Sequence, residues 1–229
     1  LALVDIWHQA LEKNGIPKDF VTYLDINRVE TQKLLKENTH NLDLIIPRGG
    51  EGLINYIRTN TTVPLIISGR GNNFVYIHDK CDFDMAVDVI LNGKSRLSVC
   101  NATDKVIINN NISNFDVKAE LLVRELTKLG IEVIVDGSDL EKIAGVTLMK
   151  DNIYSEEFLS AKMLISQSDS MENAIETINQ YSGGHSAVII ASNDSVAEDF
   201  QNNIDCACVY QNASTRFTDG GQLGFGAEI

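Results

Sequence analysis

The chain alternates two hydrophobic periods, one typical of helices and one typical of buried strands. A first helix is predicted by five apolar residues at helical spacing, Leu3, Val4, Trp7, Ala10 and Leu11. Short apolar runs predict the strands "FVTYLD" (20–25), "LDLIIP", "VPLIIS", "NNFVYIHD", "KVIIN", "IEVIV", "KMLIS", "SAVIIAS" and "ACVYQN". Further helices are predicted over 29–37, 52–59, 84–91, "VKAELLVRELTKLG", "SMENAIETINQYS" and 195–201.

Regular alternation of strand and helix predicts an α/β fold. Successive strands joined through helices form right-handed crossover units, which build a parallel sheet with helices on its faces. The pattern changes after residues 68–79, which favours one domain over residues 1–80 and a second over 81–210, with 211–229 as a separate segment.

Composition and charge exclude several classes of function. The net charge is −13, and the 19 basic residues are scattered along the chain, so a nucleic-acid partner is not expected. The sequence has no apolar run of the roughly 20 residues that a membrane helix needs, and its first residues lack a signal peptide, so we expect no membrane partner and a cytoplasmic or organelle-matrix setting. The chain starts without methionine and stops after a glycine-rich stretch, from which we expect an internal piece of a longer protein.

Four cysteines are too few for a disulfide scaffold, and their spacing predicts no metal site. Cys206 and Cys208 alternate along "CACVY" and are interpreted as packing residues. Cys100 differs because its neighbours in "GKSRLSVCNATDKVIIN" are polar, with Lys94 and Arg96 close by. Such surroundings can favour a nucleophilic thiolate, but local features alone favour an inert thiol, since unpaired cysteine is often merely buried.

Three further stretches are candidates for anion binding. Arg48, Gly49 and Gly50 stand between a predicted strand and a helix, where backbone N–H groups can face a phosphate, although glycine is also a common turn residue. Arg216, in "YQNASTRFTDGGQLGFGAE", has a planar guanidinium suited to a carboxylate or phosphate, with a solvated loop arginine as the alternative. His185, in "SGGHSAV", is interpreted as a structural histidine.

Four motifs together resemble the gamma-glutamyl phosphate reductase family of the aldehyde dehydrogenase superfamily. They are "DLIIPRGGEGL", "GKSRLSVCNATDKVIIN", "GGHSAVIIASND" and "VYQNASTRFTDGGQLGFGAE". The resemblance implies an aldehyde-dehydrogenase-like fold in which residues 1–80 are part of a Rossmann-like cofactor domain, 81–210 carry the nucleophile, and 211–229 return to the cleft. It also implies NADPH-dependent reduction of L-glutamyl 5-phosphate to glutamate 5-semialdehyde, with loss of phosphate, in proline biosynthesis.

The resemblance assigns roles to particular residues. Cys100 is the expected nucleophile, which forms a thioester with the substrate. Cofactor binding is expected of Arg48, Gly49, Gly50 and Glu157, although the neighbouring Glu156 competes for the last of these roles. Substrate binding is expected of Asn212, Ser214, Thr215 and Arg216, with loop positioning as the alternative for Asn212.

Two departures from the superfamily pattern bear on the mechanism. Hydrolytic members have a glutamate base in "LELGG", and the corresponding "LIISGRG" has none, so we expect poor activation of water; Ser68→Glu with no gain in thioester hydrolysis would count against this. The asparagine that donates to the oxyanion in the superfamily would precede this chain, which leaves the backbone N–H of Cys100 as the proposed donor.

Two other functions stay open on the sequence. One is a coenzyme A-acylating aldehyde dehydrogenase, which shares the thiol chemistry, and the other is a non-catalytic binding module that keeps the fold. The resemblance further implies a homo-oligomer in the complete protein and raises a fusion to, or association with, glutamate 5-kinase.

Overall fold

A computed structural model describes residues 1–67 and 70–226 of the chain. The chain divides into two compact units, Leu1–Ile67 and Ser68–Ile229. This division falls earlier than the boundary expected near residue 80, because the strand Asn73–Ile77 lies inside the sheet of the second unit.

The first unit is built from three helices. They are α1 (Ala2–Lys13), α2 (Arg28–Glu37) and α3 (Glu51–Asn60), and all three confirm helices predicted from the hydrophobic spacing. The α2 helix begins with a capping box, in which the Asn27 side chain accepts backbone N–H groups and the Glu30 side chain accepts the N–H of Asn27.

The strands predicted in this unit are mostly wrong. Residues 20–25 form no strand; instead, a short 3-10 helix covers Lys18–Phe20. The described parts of "LDLIIP" and "VPLIIS" meet at one parallel bridge, between Ile45 and Leu65. A strand needs a neighbouring segment with which it forms a series of backbone hydrogen bonds. The described residues of this unit form one bridge of this kind, so neither apolar run extends into a strand.

The second unit is a parallel sheet of seven strands. They are β1 (Asn73–Ile77), β2 (Thr103–Asn109), β3 (Glu132–Asp136), β4 (Thr147–Leu148), β5 (Lys162–Ser168), β6 (Ser186–Ile190) and β7 (Cys208–Gln211). Their order in the sheet is β4-β3-β5-β2-β1-β6-β7, and every neighbouring pair is parallel. The predicted α/β class is confirmed, and β4 is the strand that the sequence pattern did not reveal.

Helices cover both faces of this sheet. They are α4 (Phe83–Gly93), α5 (Phe115–Lys128), α6 (Met171–Tyr181) and α7 (Asp194–Asn203). Apolar residues of α4 and α5 pack in one core cluster with alternate residues of the strands, and those of α6 and α7 pack in a second cluster with the other set. Burial on both faces explains why the central strands read as continuous apolar runs.

Parallel pairing places the starts of all strands at one edge of the sheet, which we call the amino edge. The loops before β1, β2, β5 and β6 therefore meet at this edge, although their sequence positions are far apart. In the described part of the chain, no helix has the length and apolar character needed to cross a membrane.

Candidate active site at the amino edge of the sheet

Cys100 lies in a turn just before β2, with its residue exposed to solvent. The turn is held by Asn73, the first residue of β1, whose buried side-chain amide donates to the backbone oxygens of Cys100 and Ala102, each at 2.7 Å, and to that of Gly71 at 3.1 Å. Three carbonyl groups are thus satisfied by one amide. The thiol is accessible while its backbone is fixed, which is the arrangement that a nucleophile needs.

Gly71 brings Glu157 close to the thiol-bearing residue. Its backbone N–H donates to Oε1 of Glu157 at 3.2 Å. A Cβ atom at Gly71 would lie 2.5 Å from both the Cα atom of Cys100 and Oε1 of Glu157, so these two atoms are within twice that distance of each other. Only glycine permits this approach.

Glu157 is a half-buried carboxylate in the loop before β5. Burial raises its pKa, and the nearby Asp104 carboxylate adds to the rise, while the Gly71 N–H and the charges of Arg70 and Lys105 oppose it. Glu156, the competing residue, is exposed, and its backbone oxygen accepts from Lys105. The geometry therefore favours Glu157 as the carboxylate of this site.

A buried charged cluster lies under the Glu157 loop. Asp104 accepts from Lys94 Nζ at 2.6 Å through Oδ1 and from the backbone N–H of Phe158 at 2.7 Å through Oδ2. Lys105 is completely buried, and its Nζ donates to the carbonyl of Glu156 at 2.7 Å. Burial lowers the pKa of Lys105 to about 7, and burial also lowers the pKa of Lys94.

Arg216 contacts Asn101, the residue that follows Cys100 in the chain. The Arg216 guanidinium donates through Nη1 to Oδ1 of Asn101, and the Asn101 amide donates to the Thr218 carbonyl at 3.0 Å. The guanidinium is half-buried, and a planar group with five N–H donors retains others for an anion.

Thr215 and Ser214 support this loop instead of facing solvent. Both are buried, and the Thr215 hydroxyl donates to the carbonyl of Asn101 at 2.7 Å and lies 3.0 Å from the Thr103 hydroxyl. Ser214 Oγ accepts from the backbone N–H of Arg216 at the start of a short 3-10 helix, Thr215–Phe217. Their hydroxyls position Asn101 and Arg216.

Asn212 is not brought to this edge. Its amide exchanges two hydrogen bonds with the backbone of Ala191, at 3.0 and 2.9 Å, just past the carboxyl end of β6. Its backbone is left-handed, with φ 53°, at the turn where the chain leaves β7 and runs back to the amino edge. The geometry favours the alternative of loop positioning for Asn212, and its part in substrate binding stays a prediction.

Arg48, Gly49 and Gly50 lie in the first unit, before α3. All three are exposed, and Gly50 is the residue that caps the start of the helix. A Cβ atom at Gly49 would lie 2.6 Å from Cδ2 of Leu53, which shows how closely this turn packs on its own helix.

The remaining singled-out residues have packing or loop contacts. His185 Nδ1 lies 2.7 Å from the hydroxyl of Ser186, which in turn lies 2.7 Å from that of Thr218. Cys206 is partly buried and packs with the α6 and α7 core cluster, where burial raises its pKa. Ser68 and Gly69, which bear on the missing general base, lie outside the described residues, as does Glu228 near the chain end.

Sequence reasoning missed Gly71, Asn73, Asp104 and Lys105. One signal was available: polar residues stand at the start of two apolar runs, "GNNFVYI" and "TDKVII". Polar groups that enter a buried strand need hydrogen-bond partners. Their partners come from loops far away in sequence, which the pattern does not reveal.

An exposed thiol, a guanidinium and a half-buried carboxylate thus converge at one edge of a doubly covered parallel sheet. The described residues contain no group of three or more His, Cys, Asp or Glu side chains placed to hold a metal ion. This set of groups is suited to attack by sulfur on a substrate that carries an anionic group.

Comparison with known proteins identifies the class. Residues 118–227 match the aldehyde dehydrogenase family model. An acetylating aldehyde dehydrogenase from Geobacillus thermoglucosidasius shares the fold, with a TM-score of 0.70, 21% identity, and coverage of 94% of this chain and 56% of that one. The chain has the aldehyde dehydrogenase fold.

Among proteins of this fold, the chain is similar to gamma-glutamyl phosphate reductases, as the motifs implied. The chain is 40% identical to the gamma-glutamyl phosphate reductase of Lachnospira eligens over 100% of its own length and 55% of that protein. The crystal structure of the Thermotoga maritima gamma-glutamyl phosphate reductase matches with a TM-score of 0.90 and 37% identity, covering 99% of this chain and 55% of that one. The chain therefore spans about half the length of the relatives it matches.

Proposed function

We propose that the protein is part of a gamma-glutamyl phosphate reductase, which reduces L-glutamyl 5-phosphate to glutamate 5-semialdehyde with NADPH and releases phosphate. The observation that carries the proposal is the exposed Cys100 thiol, whose fixed turn lies between the Glu157 loop and Arg216 at one edge of the sheet. The full-length similarity to reductases of this name supports it.

In the proposed reaction the Cys100 thiolate attacks the acyl carbon of the substrate. A carbon–sulfur bond forms, the bond from that carbon to the phosphate oxygen breaks, and phosphate leaves, which yields a thioester. The backbone N–H of Cys100 is the proposed donor to the oxyanion, and the Asn73 hydrogen bond restrains the same residue through its carbonyl group. Arg216 is proposed to hold the substrate carboxylate or the leaving phosphate.

Glu157 is the residue that would hold the nicotinamide ribose. The fit rests on its half-buried carboxylate, of which Oε1 accepts the Gly71 N–H close to Cys100. A carboxylate accepts hydrogen bonds from ribose hydroxyls in the way that dinucleotide sites use. The chemistry that a bound NADPH supplies is a hydride for the thioester carbon, which releases the aldehyde and the thiolate.

Arg48, Gly49 and Gly50 are proposed to contact the cofactor phosphates, because backbone N–H groups at the start of α3 and a cationic side chain suit an anion. A cytoplasmic location, a homo-oligomeric complete protein and an association with glutamate 5-kinase belong to the same proposal and rest on the resemblance alone.

The test is phosphate-dependent reduction of NADP⁺ by glutamate 5-semialdehyde, which is the reverse reaction. It is run on this chain and on the full-length Lachnospira eligens relative, each with the nucleophile position changed to serine, Cys100→Ser in this chain. Cys206→Ser is the matched control, because Cys206 packs in the core away from Cys100. Phosphate-dependent activity that vanishes in Cys100→Ser and persists in Cys206→Ser supports the proposal.

The same assay separates the other functions. Activity that needs coenzyme A in place of phosphate would assign the acylating chemistry of the alternative class. A relative whose activity survives the change of the matching cysteine to serine would overturn the role of Cys100.

A further inference from the structure

Lys105 holds the residues on both sides of Glu157. It is the third residue of β2 and is completely buried. Its Nζ donates to the carbonyl of Glu156 at 2.7 Å and stands 3.6 Å from the ring centroid of Phe158. One side-chain amine thus contacts both Glu156 and Phe158, the residues immediately before and after Glu157.

Asp104 binds the same loop from the other face of β2. Consecutive side chains of a strand leave it on opposite faces, and Asp104 accepts from the backbone N–H of Phe158 at 2.7 Å. Lys94 neutralises Asp104 through a buried ion pair at 2.6 Å. Phe158 is therefore fixed through its N–H on one side and through its ring on the other.

The two buried lysines differ in their partners. Lys94 faces a carboxylate at ion-pair distance, whereas Lys105 is held by a carbonyl and an aromatic ring. A buried charge without an ion pair is costly, and an apolar side chain of similar volume would serve a core better. Global stability does not explain a lysine here, but the orientation of the loop does.

The charges around Lys105 come from three elements. Asp104 on its own strand favours the charged form, and so do Glu156 and Glu157 in the loop before β5, while Lys94 after α4 opposes it. Burial exceeds all of these effects and brings the pKa to about 7. The ammonium is therefore present at mildly acidic pH and partly lost above neutrality.

We propose that Lys105 is a positioning residue for Glu157, whose side chain holds the loop over Glu156, Glu157 and Phe158. Replacement of Lys105 by an apolar residue removes the hydrogen bond to the Glu156 carbonyl and the contact of the amine with the Phe158 ring. The consequence for cofactor binding rests on the proposed function of Glu157, whereas the loosening of the loop by this replacement does not.

Amide hydrogen exchange of the peptide that spans residues 153–160 tests the inference without any nucleotide. Wild type, Lys105→Met and Lys128→Met are compared at about pH 6 and pH 8, after correction for the intrinsic exchange rate. Lys128 is the matched control because it is an exposed lysine on α5, paired with Glu125. At pH 8, protection of the loop in Lys105→Met is expected to fall about tenfold, as a partly buried carbonyl left without its donor implies, and Lys128→Met should match wild type.

The pH series distinguishes positioning from simple packing. Burial under the loop lowers the pKa of Lys105, so an opened loop binds the proton more tightly, and wild-type protection is expected to rise between pH 6 and pH 8. Lys105→Met should be nearly independent of pH. Equal protection of wild type at both pH values, or wild-type protection in Lys105→Met at pH 8, would overturn the inference. The wild-type series decides the question by itself should the variant fail to fold.

Binding of NADPH, followed by its fluorescence, separates this inference from the proposed function. With both correct, the dissociation constant of Lys105→Met exceeds that of wild type about tenfold at pH 8 and approaches it at pH 6. Loosened exchange with unchanged nucleotide affinity would support the role of Lys105 in the loop and count against Glu157 as the ribose ligand.

Discussion

The side-chain amide of Asn73 donates to the backbone carbonyl of Cys100, with 2.7 Å between the nitrogen and the oxygen. Asn73 begins a strand that is buried along its whole length, so the turn that exposes the thiol is attached to the most rigid part of the sheet. This hydrogen bond restrains the backbone of Cys100, which restricts the directions from which sulfur can attack a substrate.

Asn73→Ala is expected to destabilise the protein by about 1–3 kcal/mol, because three backbone oxygens lose their buried donor. Urea denaturation of the purified chain measures the loss. Asn111→Ala is the matched control, since Asn111 is exposed and a change there should stay within about 0.5 kcal/mol. Equal stability of the two variants would refute the anchoring role.

Gly71→Ala is expected to displace either the Cys100 turn or the Glu157 loop, because the added methyl group would lie 2.5 Å from atoms of both. The rate of Cys100 alkylation by iodoacetamide, resolved by peptide mass spectrometry, should change about tenfold or more for a displacement of this kind. Gly52→Ala makes the same substitution in α3, where a Cβ meets no atom within 4 Å, and should leave the rate unchanged. A wild-type rate in Gly71→Ala would show that the contact is tolerated.

Lys105→Met is expected to raise the free energy of unfolding at about pH 6, because a buried charge without an ion pair is replaced by an apolar side chain of similar length. The pKa of Lys105 is about 7 in the folded protein and 10.5 as the reference value for the unfolded chain. Below pH 7 both states bind the proton; above it the unfolded state binds more, so wild-type stability rises with pH by up to about 1.4 kcal/mol per unit. The advantage of the methionine variant should therefore shrink between pH 7 and pH 9.

Denaturation curves of wild type and Lys105→Met across this pH range provide the measurement. Lys94→Met is the contrasting variant, because it leaves Asp104 buried without its partner and should destabilise the protein by about 3–5 kcal/mol. A wild-type stability advantage that grows towards low pH would contradict the assigned direction for Lys105.

Arg216→Lys is expected to raise the KM for phosphate or substrate about tenfold or more in the assay proposed above, because an ammonium cannot reproduce two parallel hydrogen bonds to an anion. Arg96→Lys is the matched control: Arg96 is also close to Cys100 in sequence but is exposed, and its replacement should leave KM unchanged. Equal effects of Arg216→Lys and Arg96→Lys on KM would indicate a general effect of positive charge and no specific hydrogen bonding by Arg216.

Asn212→Ala is expected to lower stability by about 1–3 kcal/mol while leaving KM unaltered. The change removes two hydrogen bonds to Ala191 and places alanine in a left-handed conformation, with φ 53°. Thermal denaturation and the steady-state assay together separate the two effects. A rise in KM without loss of stability would restore Asn212 to substrate binding.

Most of the second unit could be predicted from sequence because each strand is covered on both faces. "KVIIN" and "SAVIIAS" each contain an unbroken apolar run, and the observed strands Thr103–Asn109 and Ser186–Ile190 overlap them closely. In the first unit the same kind of signal in "LDLIIP" and "VPLIIS" overstated the strands, because an apolar run reports burial and not the presence of a hydrogen-bonding neighbour.

The sequence by itself determined the α/β class, the resemblance to gamma-glutamyl phosphate reductases and the choice of Cys100 as the residue of interest, since all three depend on local patterns and motifs. The tertiary structure decided that Gly71, Asn73 and Glu157 surround that cysteine and that Asn212 does not join them. Contacts across 27 and 86 residues depend on strand order and register, which arise from packing of the whole sheet and not from any single stretch of chain.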